Sequence, residues 1–278
     1  MTILLALASA VLYGVSDFVG GLASRRTSAW PVAVTSGAGA LVGAVVLTAL
    51  EPGSPVSADW WWAALAGVGG GAGIAFLYRG FAAGQMAVAG PVSAVGTALL
   101  PVVVGVVGGE VLAPLTWIGI ALALPGLWLV ARSPAVPGAP VELAEGLTDG
   151  AIAGLGFGVS FVALGQWSDG AGYSPFLLMQ VVNIVAVVAL AALFRQPSRP
   201  DRTAILWGGG AGVIAAGALL CFLAAVGGAD LAVAAVLASL YPAVTVVLAI
   251  AVLREHVSIP QAVGLLLCAG TVGLVAAG

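Results

Sequence analysis

Charge is scarce in this sequence. Its 278 residues include no lysine, eight arginines, eleven acidic residues and one histidine, so 7% of the chain is charged while 62% is hydrophobic. Soluble domains carry about 25% charged residues to cover their surface, and with a mean hydropathy of +1.18 this chain cannot do so. Soluble enzymes, disordered tails and nucleic-acid binders are excluded, because no basic run exists that could grip phosphates. Cysteine is nearly absent too. Cys221 and Cys268 both lie in apolar runs, where a free thiol behaves as a small hydrophobe, and together with His256 they show no metal-ligand spacing. Neither a disulfide nor a metal or other cofactor is expected. No basic segment precedes the first apolar run, so that run reads as a span rather than a signal peptide.

What the chain has in abundance is apolar runs of membrane-crossing length. A bilayer core about 30 Å thick takes about 20 apolar residues per helix. Dividing the chain at its charges, prolines and glycines yields ten spans, at 2–22, 30–50, 58–80, 86–107, 112–131, 147–168, 174–194, 204–226, 231–252 and 258–277. Ser24-Arg25-Arg26-Thr27 and Arg195 to Pro200 read as turns between them. No span alternates polar and apolar residues, so a β-barrel is excluded and the expected fold is an all-α membrane bundle. Small-xxx-small pairs recur at Gly67/Gly71, Gly105/Gly109, Gly150/Gly154/Gly158 and Gly208/Gly212, the pattern of closely packed helices.

The chain also repeats itself. At an offset of 144, Gly14, Ser16 and Pro31 match Gly158, Ser160 and Pro175; at 145, Trp62 matches Trp207, Ala66-Gly67-Val68 matches Ala211-Gly212-Val213, and Glu110 matches Glu255. The expected organisation is a five-helix repeat over 1–133, a proline-containing linker over 134–146 and a second repeat over 147–278. Five is odd, so the second copy must enter the membrane from the opposite side, as in the inverted repeats of secondary transporters. With that topology all eight arginines fall on one face, and the positive-inside rule makes that face cytoplasmic and puts both termini outside.

Tyr13-Gly14-Val15-Ser16-Asp17-Phe18-Val19-Gly20-Gly21 near the start, Gly90-Pro91-Val92-Ser93-Ala94 leading to Gly109-Glu110, and Ala238-Ser239-Leu240-Tyr241-Pro242 leading to Arg254-Glu255 together resemble the EamA-type transporters of the drug/metabolite transporter superfamily. The resemblance covers nearly the whole chain. It implies a multi-pass protein of a bacterial plasma membrane that exports amino acids, metabolites or drugs. It also implies cytoplasmic termini, against the arginine count, and the side of the termini stays open.

Polar groups inside the spans mark the candidate site, since each costs free energy to bury. Tyr13, Ser16 and Asp17 share a face of the first span. Two readings stand for Asp17: a carboxylate exchanging protons with a cavity, or one that reaches the interface and pairs with Arg25 or Arg79. Its equivalent in the second repeat is Phe161, so a proton site there would be asymmetric. Tyr78, Arg79 and Gln85 near the end of the third span, Gln166 in the sixth, Gln180 and Asn183 in the seventh and Tyr241 in the ninth complete the substrate or proton pathway. Amides and phenols suit a cavity for a small polar solute. Glu110 and Glu255 read as helix-end caps.

The expected function is secondary transport by alternating access, with a small-molecule solute, protons and the lipid bilayer as partners and no nucleic acid, in a monomer or homodimer. No GxxxxGK[ST] loop is present to bind a nucleotide. A lipid flippase or a non-transporting membrane protein is the alternative. A membrane-embedded enzyme would need paired carboxylates or a His–carboxylate set, which Asp17 lacks.

Overall fold

A computed structural model describes residues 1–83, 86–131, 143–197, 199–228, 231–253 and 258–277. Among these every regular element is helical: α1 (Thr2–Arg26), α2 (Ala29–Leu50), α3 (Ser57–Ala82), α4 (Met86–Val107), α5 (Pro114–Ala131), α6 (Leu143–Leu164), α7 (Ser174–Leu193), α8 (Gly209–Val226) entered through a π-helical turn at Ala204–Gly208, α9 (Leu231–Ala238), α10 (Tyr241–Leu253) and α11 (Ile259–Ala277). Six helices are long and apolar enough to cross a membrane, and shorter apolar stretches lie at Val92–Val107, Pro114–Leu129, Leu231–Thr245 and Ile259–Val275. The bundle's exterior is apolar: Leu4, Val107, Val111, Leu193, Ile259 and Leu266 are largely exposed, as side chains facing lipid would be.

Several elements depart from the boundaries read from sequence. Helix α1 runs on through Arg25 and Arg26, where basic side chains complement the negative end of the helix dipole. Helix α6 stops at Leu164, leaving Gln166 in a turn. The ninth span breaks at Ser239–Leu240 into α9 and α10. Pro242 is the cause, since it donates no hydrogen bond and disfavours helix in the residue before it. The equivalent position in the first repeat is Thr97, whose hydroxyl donates to the Ser93 carbonyl 2.8 Å away, and α4 runs unbroken through it.

The helices pair as an internal two-fold requires. Helix α3 packs on α6 as α1 packs on α8, α3 on α7 as α2 on α8, and α4 on α6 as α1 on α9 and α10, while α2 meets its counterpart α7, α4 meets α9 and α5 meets α11. The turn from α6 to α7 lies against the turn from α2 to α3, through Ser54 N–H to Gly170 and Tyr173 N–H to Glu51. Its counterpart, the turn from α1 to α2, is at the other end of α2, so equivalent turns occupy opposite ends of the bundle. The end at the start of α1 carries Glu51, Asp59, Glu110 and Asp169 and, among the described residues, no arginine; the other carries Arg25, Arg26, Arg79, Arg195, Arg199 and Arg202 together with Glu145, Asp149 and Asp201.

Glycine permits this packing. A Cβ on Gly154 would stand 2.8 Å from the Ser93 carbonyl and 3.0 Å from Gly96 Cα, so α4 and α6 touch backbone to backbone. Gly109 has a different reason: its φ of +101° meets no neighbour within 4 Å, and it turns the chain so that Glu110 folds back over Gly105. The Glu110 carboxylate accepts the N–H groups of Leu231 at 2.8 Å and Ala232 at 3.1 Å. It is a helix cap as expected, but for the first turn of α9 in the other repeat. Glu255 lies outside the described residues.

Candidate functional site

Midway along the bundle, a cavity of about 110 Å³ lies on the internal two-fold. Both repeats line it from matching positions: Tyr13 and Phe157, Asp17 and Phe161, Ser36 and Gln180, Gly70 and Ala215, Ile74 and Leu219. Helical spacing explains the sets, because Tyr13 and Asp17 are one turn apart, as are Phe157 and Phe161. The repeat therefore builds a symmetric shell and then breaks its chemistry. One half supplies a phenol and a carboxylate where the other supplies two phenyl rings.

Asp17 makes no hydrogen bond or ion pair with any described residue, and no basic side chain lines the cavity. The reading that paired it with Arg79 fails on geometry. Arg79 turns away to Asp149 on α6, with Nε 3.1 Å from both carboxylate oxygens. Its guanidinium packs against the rings of Phe76 and Phe194, 4.4 and 4.8 Å from their centroids. The phenols of Tyr13, Tyr78 and Tyr241 are within electrostatic reach of Asp17.

Gln180 and Asn183 enter from α7. Neither amide has a hydrogen-bond partner among the described residues, although the side chains are 6% and 9% exposed. Asn183 fits between α2 and α3 because glycine stands on both: added Cβ atoms on Gly37 and Gly70 would approach its Oδ1 to 3.2 Å and its Nδ2 to 3.0 Å. Tyr241 sits at the break between α9 and α10, with its ring centroid 6.4 Å from that of Tyr13 and its phenol facing the Ser93 and Thr97 hydroxyls.

Of the sequence-derived candidates, Tyr13, Asp17, Gln180, Asn183 and Tyr241 meet at this cavity. Ser16 instead donates to the Ala211 carbonyl at 2.9 Å, tying α1 to α8. Tyr78 packs behind Asp17 with its hydroxyl against Gly20, buried and without a hydrogen-bond partner among the described residues. Gln166 belongs to a separate opening with Glu110 and Trp62. Gln85 lies outside the described residues. Sequence reading missed Ser36, Thr97, Ser160 and the two phenylalanines. The repeat register, which already sets Phe161 against Asp17 and Ser160 against Ser16, could also have found Ser36 as the counterpart of Gln180 and Phe157 as that of Tyr13.

One turn beyond the cavity, toward the acidic end, Leu164 and Leu223 line a vestibule of about 300 Å³ with Glu51, Trp167, Asp169 and Tyr173. Burial and then the Glu51 carboxylate push the Tyr173 phenol above its usual range. Phe161, which lines the cavity, stacks on Phe222 with ring centroids 4.5 Å apart.

An all-helical, duplicated bundle with an apolar exterior and, at its two-fold, a mostly apolar cavity into which Asp17, Gln180 and Asn183 project has the build of a membrane transporter. The EamA-like transporter family matches the chain twice, over residues 1–132 and 146–277. The protein belongs to that family, and so to the drug/metabolite transporter superfamily. Among solved structures, one crystal structure superposes with a TM-score of 0.69 at 21% identity, covering 98% of this chain and 95% of its own, which establishes a shared fold. No curated protein matches.

Proposed function

We propose that the protein is a secondary transporter of a bacterial plasma membrane, exporting a small metabolite, amino acid or drug by rocking its two repeats around the central cavity. In this reading the four shorter apolar stretches also cross the bilayer, making ten crossings in two halves of opposite sense, each half occupying about one of the two matched segments. The arginine-bearing end faces the cytoplasm, on the positive-inside rule.

One observation supports the reading above the others: Asp17, Gln180 and Asn183 face a common cavity and make no hydrogen bond with any described residue. Buried polar groups are ordinarily satisfied, so three left open on a two-fold axis suit a site whose partners arrive and leave. A carboxylate alone in such surroundings takes up a proton readily, and no phosphate-binding loop offers another energy source. A proton gradient driving export through Asp17 follows.

The test is Asp17→Asn reconstituted in proteoliposomes. Gradient-driven flux should vanish while the melting temperature stays close to that of the parent. Undiminished flux in the variant removes proton coupling through this residue.

A further inference from the structure

We propose, resting on the transporter reading, that the solute of this cavity is uncharged and is recognised through a carboxamide or lactam edge. That edge docks on a neutral hydrogen-bonding wall formed by Ser36, Ser160, Gln180 and Asn183, and the flat apolar remainder lies against the aromatic rings.

Four polar side chains of the cavity are unused by the fold. Ser36 on α2, Ser160 on α6 and Gln180 and Asn183 on α7 all line it, and each is at least nine-tenths buried. None makes a hydrogen bond with a described residue. Buried hydroxyls and amides are ordinarily paired, and elsewhere in this bundle they are. Ser16, the repeat counterpart of Ser160, donates to the Ala211 carbonyl at 2.9 Å, and Thr97 donates to the Ser93 carbonyl at 2.8 Å. The four open groups come from three helices and converge on one space.

Glycine keeps that space clear around the Asn183 amide. A Cβ added to Gly37 would stand 3.2 Å from Oδ1, and one added to Gly70 would stand 3.0 Å from Nδ2 and 3.6 Å from the Ser160 hydroxyl. Both ends of the amide therefore border places that any other residue would fill. The arrangement occurs once in the molecule. In repeat register the counterparts of Gly37, Gly70 and Asn183 are Val181, Ala215 and Gly39, and Gly39 serves close packing instead, since its added Cβ would meet the Gly209 carbonyl of α8 at 2.0 Å.

The chemistry of the four groups selects the ligand. Each amide offers an acceptor oxygen and two N–H donors, and each hydroxyl both donates and accepts. A carboxylate or phosphate only accepts, which leaves the amide oxygens unmatched. An ammonium only donates, which leaves the amide N–H groups unmatched. A carboxamide or lactam has a donor and an acceptor side by side, at the spacing of the Asn and Gln side chains themselves, and adds no charge to a cavity that has no basic side chain. A sugar also donates and accepts, but its hydroxyls point to every side, and Ala40, Ile74, Met179 and Leu219 offer them nothing. These walls, with Phe157, Phe161 and Tyr13, suit a flat apolar body; the Tyr13 and Phe161 ring centroids are 6.0 Å apart.

Four near-isosteric probes test the assignment on the purified full-length protein: benzamide, acetophenone, benzoate and benzylamine. Acetophenone keeps the shape and carbonyl of benzamide but has a methyl group in place of its N–H donors. Benzamide should raise the melting temperature with concentration and bind about tenfold or more tightly than the other three, because a site built to hydrogen-bond rejects an analogue that leaves its groups unpaired. In Asn183→Leu the preference for benzamide over acetophenone should vanish, a change that loss of a packing side chain would not produce. Gly70→Ala places a methyl beside the amide and should weaken benzamide about fivefold, which keeps the test open if the Asn183 variant does not fold. Absence of a benzamide response, equal stabilisation by any of the other three probes, or a preference that survives in Asn183→Leu overturns the assignment. Proteoliposomes separate the two readings. Flux of benzoate or benzylamine without a benzamide response keeps the transporter and overturns the amide edge. Benzamide binding with the stated preference, and no counterflow of labelled uracil, a slowly permeating ring with the same lactam edge, supports the site and overturns transport.

Discussion

Arg79 at the end of α3 and Asp149 at the start of α6 form a bidentate pair across the two repeats, with the Asp149 side chain 4% exposed and that of Arg79 31% exposed. Their repeat counterparts are Ala224 and Leu5, both apolar. The α3–α6 contact is therefore charged at one end of the bundle, while the matching α8–α1 contact at the other end carries no such pair.

Breaking the pair should cost more than deleting it. Arg79→Leu leaves the Asp149 carboxylate buried without a partner and should destabilise by about 3 kcal/mol, whereas the double variant Arg79→Leu/Asp149→Leu should recover most of that. Thermal unfolding of the four proteins of the double-mutant cycle measures the coupling. Additive losses would show that the pair adds nothing beyond its separate side chains.

Glu110 holds the first turn of α9 from the opposite repeat through Leu231 and Ala232. Glu110→Ala should lower stability by about 1–2 kcal/mol, the range of a lost N-terminal cap. Hydrogen exchange should localise the change to Leu231–Ala238.

Gln180 is buried without a hydrogen-bond partner among the described residues, an arrangement that costs stability and that the proposed role in binding would explain. Gln180→Met, similar in shape, should raise stability by up to about 1 kcal/mol while reducing transport at least tenfold. Melting temperature and proteoliposome flux, read on the same preparation, check both halves of the statement. Lower stability with full flux would assign Gln180 to helix packing.

Gly154 and Gly96 meet backbone to backbone. Gly154→Val should destabilise by about 3 kcal/mol or more, since overpacking a close contact forces the helices apart. Gly170→Val, at an open position with nothing within 4 Å, is the control and should fold normally.

The side of the membrane is accessible to thiol labelling. In a protein with Cys221→Ala and Cys268→Ala, Gln196→Cys should react only with reagents that reach the cytoplasm, and Gly170→Cys with an impermeant reagent added outside. The reverse pattern would place the termini in the cytoplasm.

Much of the architecture was legible because a membrane imposes its length on the chain. Ten apolar runs, the register that carries Trp62 onto Trp207, and Asp17 as the conspicuous acid within a span are all visible in the residues, and each helix falls close to its expected run. The break in the ninth span was less visible. Pro242 was in plain view, yet a proline in an apolar run can sit in a kinked helix or a broken one, and only packing distinguishes them.

The sequence by itself determined a membrane-embedded, duplicated helical bundle, because hydropathy, helix length and repeat register are one-dimensional properties that a bilayer converts directly into structure. Tertiary structure alone decided what each polar residue does. Arg79 and Asp17 look equally eligible as partners along the chain, but Asp149, seventy positions away from Arg79, takes the guanidinium and leaves Asp17 open to the cavity. Ser16 and Ser36 are likewise alike in sequence, and one ties α1 to α8 while the other lines the site. Such assignments depend on distances between helices remote in sequence, which the chain's local pattern does not encode.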